Sequence, residues 1–243
     1  MDEAAEEGYD APFAVERESG EKAARQIARA IVRDIVGQGL GEGAPLPPEP
    51  VMLATYRVGR PTLREALRIL EVNGLITIKT GRSGGPRVRR SDTRDLARLL
   101  SLHFASRRVT YTEVAAARRT IEPTLARLAA LNASETERQQ LAEMLHLSAE
   151  IPGSLAESQR FHHSVAVISH DPVLGPLSVS LQLIIDPMRA EPTRQWTTLM
   201  AEHVPIGEAI IRGAAEEAET LMARHMRHYP APAEAGDQIV DWA

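Results

Sequence analysis

The chain has no cysteine among its 243 residues, which excludes a disulfide framework, a thiol nucleophile and any zinc site built on thiolates. Aromatic residues make up only 4% while alanine and leucine abound, a balance that favours helices over a β-sandwich. No apolar run approaches the roughly 18 residues of a membrane-crossing helix, so no membrane partner is expected. The first residues are acidic (Asp2, Glu3, Glu6, Glu7) and lack the apolar centre of a secretion signal. A His-Glu-x-x-His motif, a nucleophile–base pair and a phosphate-binding glycine loop are also missing. These absences lead to the expectation of a cytoplasmic, non-enzymatic and mainly helical protein. A hydrophobic content of 43% is enough to fill two cores in a chain of this length.

Charge is present but unevenly placed. Residues 21–90 hold thirteen Lys and Arg against six Asp and Glu, a local balance of about +7 in a chain of net charge −5. The remainder carries about −12, so a basic module is joined to an acidic one. Within the basic module, Arg60, Arg64 and Arg68 recur at helical spacing just after Arg57. On a helix over 61–73 their guanidinium groups share one face, and Leu63, Leu67 and Leu70 share another. Arginine is the side chain best matched to phosphate oxygens and to the major-groove edge of guanine.

The surroundings of that helix give it a setting. Ala23, Ile27, Ile31 and Ile35 mark a first helix from about Gly20 to Gly37, a turn-rich connector follows over 41–48, and a short helix is expected over Glu49–Tyr56. After the arginine helix, Asn73-Gly74 is a stop signal and 75–79 alternates as a strand. Residues 80–86 form a glycine-rich turn, and Arg87–Arg90 begins a second strand, making a basic hairpin wing. Helix, turn, arginine-bearing helix and wing describe a winged helix-turn-helix whose second helix enters the major groove of DNA.

Beyond Ser91 the pattern is helical throughout, with segments expected near 92–105, 111–132, 134–150, 155–170, 173–189, 195–212 and 214–229. Ser134 and Glu137 have capping-box spacing. The fold class is therefore mainly α: a winged helix-turn-helix over 19–90 and an all-α antiparallel bundle over 91–230. Tails are expected over 1–18 and 231–243, the first disordered and the second Pro/Ala-rich and flexible.

His162, His203 and His225 fall on three different expected helices, each with apolar neighbours at helical spacing, so all three point into the bundle. Imidazole is the commonest ligand of divalent transition metals, and bundle cores are where such sites are built. Hydrogen-bonded core histidines are the competing reading. A metal-dependent enzyme using the same three residues is the alternative function, with Glu202 beside His203 expected to face away along its helix.

The first third of the chain resembles the GntR family of bacterial transcription regulators. The matching residues are Leu46-Pro47-Pro48-Glu49-Pro50, Val58 through Leu67, Asn73-Gly74-Leu75 and the wing Gly81 to Gly85. The rest is similar to the FadR-type effector domain (FCD) through Arg118 and Glu122, Phe161-His162, and His203 through Ala209 to His225. The resemblance spans about 21–229 and implies a homodimer on a two-fold symmetric operator in double-stranded DNA. Arg60, Thr62 and Arg64 would contact bases or phosphates, and Arg82, Gly84 and Gly85 would reach the minor groove. It also implies a small carboxylate or acyl-CoA effector beside Arg118, Ser158, His162, His203 and His225. Zinc or nickel is the implied metal, held by those three histidines. Arg118 and Glu122 also have the i,i+4 spacing of an ion pair.

Three departures matter. Pro50 stands where the family has an arginine, Gly59 where it has a serine, and Ser158 where its metal-binding members have an aspartate four residues before the first histidine. A neutral serine removes a ligand and a compensating charge, leaving a three-histidine set that water or an effector carboxylate would complete.

Overall fold

A computed structural model describes residues 18–81, 84–150, 155–186, 201–228 and 238–241. The chain divides into two compact units, Met1–Ser91 and Asp92–Ala243. Residues 1–17 of the tail expected over 1–18 and the parts of two expected helices over 187–189 and 195–200 lie outside the described residues, and Glu18 belongs to the first helix.

In the first unit, α1 (Glu18–Gly37), α2 (Glu49–Tyr56) and α3 (Arg60–Val72) precede strands β1 (Ile76–Lys79) and β2 (Gly85–Val88). From α1, Ile27, Ala28, Ile31 and Ile35 join the cluster in which Leu63, Ala66 and Leu70 of α3 are buried with Met52 of α2 and Ile76 and Val88 of the wing. Burying six or seven such side chains at about 1.5–3 kcal/mol each is what holds so small a unit together. Arg57 closes α2 in the left-handed region (φ 53), setting the sharp turn into α3. Pro61 sits in the first turn of α3, where no amide hydrogen is needed.

The wing differs from expectation in its second strand, which begins two residues early, at Gly85-Pro86. Register pairs Ile76 with Val88 and Lys79 with Gly85. The reason lies on the strand's other edge: Leu46 N–H donates to Pro86 O (2.9 Å) and Val88 N–H to Ala44 O (2.9 Å). The connector after α1 thus flanks β2. Proline tolerates this place because its carbonyl, not its nitrogen, makes the contact.

The second unit contains α4 (Thr93–Ser106), α5 (Tyr111–Asn132), α6 (Glu135–Glu150), α7 (Leu155–Ile168), α8 (Leu174–Ile185), α9 (His203–Arg212) and α10 (Ala215–His228). Capping boxes start α4 (Asp92 with Asp95) and α5 (Thr110 with Glu113), satisfying amide hydrogens that a helix start leaves unpaired. Small residues let the long α5 approach its neighbours closely: Ala126, Ala129 and Ala130 join Ala209, Ala218, Met222 and Met226 in one buried cluster. No described helix is long and apolar enough to cross a membrane.

Of the expected carboxyl-terminal tail over 231–243, residues 238–241 are described and make contacts with the helical unit. Val240 is 1% exposed and its N–H donates to Val109 O (2.9 Å), while Tyr111 N–H donates to Gln238 O (3.1 Å). One apolar anchor and two backbone bonds fasten residues 238–241 beside the start of α5, which the Pro/Ala-rich composition before them concealed. Residues 231–237 lie outside the described residues.

Candidate functional site

The candidate nucleic-acid face is the exposed side of α3. Leu63, Ala66, Leu67 and Leu70 turn into the core, so Arg60, Arg64 and Arg68 are left facing solvent. Thr62 is half-buried. Arg60 Nε lies 3.6 Å from Glu49 Oε1 across the turn from α2, a solvent-exposed pair that a phosphate can displace at little cost. Gly59 caps the helix without a side-chain bond, the gap expected from the absent serine.

At the wing tip, a Cβ on Gly84 would overlap the Lys79 carbonyl oxygen, and Gly85 has φ +130. Both positions therefore demand glycine for the turn itself, whatever else they touch. Arg82 lies outside the described residues. Arg87 Nη1 donates to Gly43 O (3.0 Å) and pins the connector.

The second constellation is internal. His162 on α7, His203 at the start of α9 and His225 on α10 are 1%, 5% and 0% exposed. One ligand nitrogen from each lies within 4.8 Å of the others. His225 Nε2 is 3.2 Å from His162 Nε2 and 3.2 Å from His203 Nε2. Four nitrogens around a tetrahedral ion at about 2.0–2.1 Å stand roughly 3.3 Å apart, so the spacing fits that donor set.

The outer nitrogens decide the tautomers. His162 Nδ1 meets Glu122 Oε2 at 3.2 Å and His225 Nδ1 meets Glu202 Oε2 at 3.0 Å. An ionised carboxylate only accepts, so each Nδ1 carries a hydrogen, and in a neutral ring Nε2 is then the acceptor nitrogen. With both rings neutral, two acceptor nitrogens 3.2 Å apart in a buried site repel unless a cation or a proton lies between them. Carboxylate on Nδ1 and metal on Nε2 is the usual outer-shell arrangement of histidine metal sites.

Electrostatics point the same way. Burial pushes the His225 pKa down to about 3, with the His162 charge adding to the shift. Burial likewise holds His203 well below its ordinary value. Both rings are therefore neutral near neutral pH, as ligation requires. Burial works against the charge on Glu122, but the Arg118 and His162 charges outweigh it and keep its carboxyl well below the usual range. Burial similarly opposes charge on Glu202, and hydrogen bonds from His228 and His225 overcome it.

Arg118 is 1% exposed and donates to Glu122 Oε1 through Nη2 (2.7 Å) and Nε (3.2 Å), the i,i+4 pair that its spacing allowed. Ser178 Oγ donates to the same oxygen at 2.8 Å. Ser158 is fully buried one helical turn before His162. His203 is oriented by stacking: its ring lies 4.1 Å from that of Phe161 at an interplanar angle of 13°.

Sequence reasoning passed over Glu122 as a site residue, although its pairing with Arg118 was a signal. It also turned Glu202 the wrong way. Glu202 precedes His203 at the helix start, where its side chain reaches across to α10 instead of following the helical wheel.

A winged helix-turn-helix with an arginine-faced second helix, joined to a bundle with a buried histidine centre, defines a DNA-binding regulator. The model described as "Bacterial regulatory proteins, gntR family" matches residues 23–84, and the FCD domain model matches 113–228. The chain belongs to the GntR family of bacterial DNA-binding transcriptional regulators, with an FCD domain; it is not an enzyme. It is 27% identical over 241 residues to the HTH-type transcriptional repressor NanR of Cronobacter sakazakii, covering 89% of this chain and 90% of that one. It is 28% identical over 223 residues to NanR of Escherichia coli K12, covering 83% and 84%. A solved GntR structure from Streptococcus agalactiae shares the fold with TM-score 0.62 and 22% identity, covering 84% of this chain and 97% of that one.

Proposed function

We propose that this regulator binds its operator as a homodimer and that its operator affinity answers to a small anionic effector held at the three-histidine centre with a divalent metal. The observation that supports the metal reading is the pair of Nε2 atoms 3.2 Å apart, each ring held by a carboxylate on its outer nitrogen. His162, His203 and His225 would hold the ion, which supplies a Lewis-acidic point for an acceptor oxygen.

Charge supports an anion as the effector. Arg118 and Glu122 neutralise each other, Glu202 offsets half of a divalent charge, and Ser158 adds none. The positive remainder in a low-dielectric interior favours a carboxylate, or the acidic head of an acyl-CoA, as the completing ligand. Because Arg118 is engaged by Glu122, its part in this reading is to hold Glu122 and through it His162.

The test is calorimetric titration of metal-stripped protein with zinc and nickel, followed by a panel of small carboxylates in the presence and absence of the metal. Binding of one equivalent per chain, lost in His162→Ala, is the expected result. Absence of binding in the wild-type chain would mean that a shared proton occupies the space between the histidines. Operator DNA retarded by the protein and released by one carboxylate of the panel completes the assignment.

A further inference from the structure

We infer that Glu202 and His228 form a clasp that positions His225 as a metal ligand and is tightened when the ligand nitrogen is engaged. The inference rests on the three-histidine reading above and assigns a part to two residues outside the ligand set.

Glu202 bridges two imidazoles. Its Oε2 lies 3.0 Å from His225 Nδ1 and its Oε1 lies 3.0 Å from His228 Nδ1. His225 and His228 are three apart on α10, so their rings rise from one face of that helix. Glu202 immediately precedes α9 and His228 is the last residue of α10. The bridge therefore ties the beginning of one helix to the end of the other.

The two carboxylates of the site are built differently. Glu122 is 1% exposed and is fixed by Arg118, Ser178 and His162, three contacts within the bundle. The Glu202 side chain is 21% exposed, and its second anchor, His228, is 56% exposed. His162 thus arrives preset by a sealed network. His225 depends on a pair that can open to water without disturbing the core.

That difference makes the clasp responsive. Electron withdrawal at Nε2 of an imidazole makes its Nδ1–H a stronger donor, and a carboxylate on Nδ1 raises the basicity of Nε2. Engagement of His225 Nε2 therefore strengthens the Glu202 contact, and a closed clasp strengthens engagement by the same factor, because linkage is reciprocal. The end of α10 is held more firmly when the centre is filled.

The experiment uses the full chain, stripped of metal, and zinc as the probe, in wild type, Glu202→Ala, Glu202→Gln and His228→Ala. Zinc affinity is measured by chelator competition, and backbone hydrogen exchange at 224–228 is followed with and without zinc. The tautomer of His225 is read from its imidazole nitrogen resonances. Glu202→Ala is expected to weaken zinc about 10- to 100-fold, and Glu202→Gln and His228→Ala are expected to weaken it less. Zinc should slow exchange at the end of α10 in wild type and lose that effect in Glu202→Ala. His225 should carry its proton on Nδ1 in wild type and lose that preference in Glu202→Ala, a signature that mere loss of packing would not produce. Should Glu202→Ala fold poorly, the exposed His228→Ala is measured in the same way, with smaller losses of zinc affinity and of exchange protection expected. Variants that bind zinc as tightly as the wild type overturn the clasp while leaving the metal reading intact. A wild-type chain that takes up no zinc overturns the metal reading and the tightening with it, and the His225 tautomer then decides the positioning role.

Discussion

Single side chains carry sharply different burdens in the two units. Arg64 stands exposed on α3, so its removal should cost the fold little. Its loss should weaken specific operator binding by about 1–3 kcal/mol. Fluorescence anisotropy on labelled operator checks this, and a steep decline of affinity with salt should accompany it because phosphate contacts release counterions. Unchanged affinity in both Arg60→Ala and Arg64→Ala would move recognition off α3. The buried histidines behave oppositely. The pKa of His225 falls from 6.5 to about 3 on folding, so between those values the unfolded chain takes up a proton that the native site refuses. Stability of the metal-free protein should therefore fall as pH drops through that window, by up to about 1.4 kcal/mol per unit. Thermal melts across the window test it: a flat profile would mean that the ring is protonated in the native state. At Ser158, substitution by aspartate restores a carboxylate one turn before His162 and should tighten zinc binding, as chelator competition would show.

At the scale of elements, helix starts and the wing turn are set by local chemistry. Asp92 accepts from Arg94 N–H (2.9 Å) and Asp95 N–H (3.1 Å), so Asp92→Ala should cost about 0.5–2 kcal/mol of helical-unit stability in chemical denaturation. Gly84→Ala forces a methyl group against a carbonyl oxygen and should disorder the hairpin tip, reducing operator affinity while leaving α1–α3 folded. A variant with normal affinity would show that the tip does not touch DNA. These elements were legible in the chain itself: the span of α2 and the boundaries of α5 coincide with what periodicity and capping residues imply. The second strand of the wing was not. Its early start at Gly85 depends on pairing with the connector around Pro45, a contact forty residues distant that no local pattern encodes.

For the whole molecule, the proposed regulation would couple a ligand in one unit to DNA on the other. Such coupling requires the effector to favour one of two arrangements of the chain, and typical values of about 1–3 kcal/mol correspond to roughly 5- to 150-fold in operator affinity. His203→Ala should abolish the effector response and keep effector-free operator binding, measured by anisotropy with and without the active carboxylate. Loss of operator binding in a folded His203→Ala protein would assign the residue to assembly instead of sensing. A homodimer should leave a two-fold symmetric footprint on its operator.

What the sequence determined by itself is what short-range periodicity and composition can carry. The arginine face of α3, the joining of a basic to an acidic unit, the bounds of α2 and α5 and the inward direction of His162, His203 and His225 all follow from composition and from spacings within one element. Tertiary structure alone decided the partners across elements. It set Glu122 of α5 against His162 of α7, swung Glu202 from the start of α9 onto His225 and His228 of α10, stacked Phe161 on His203, and anchored Val240 beside Val109. The reason is physical: a helical wheel gives a side chain's direction from its own axis, whereas which group it meets depends on how separate helices pack, and that is settled by the joint burial of residues far apart in the chain.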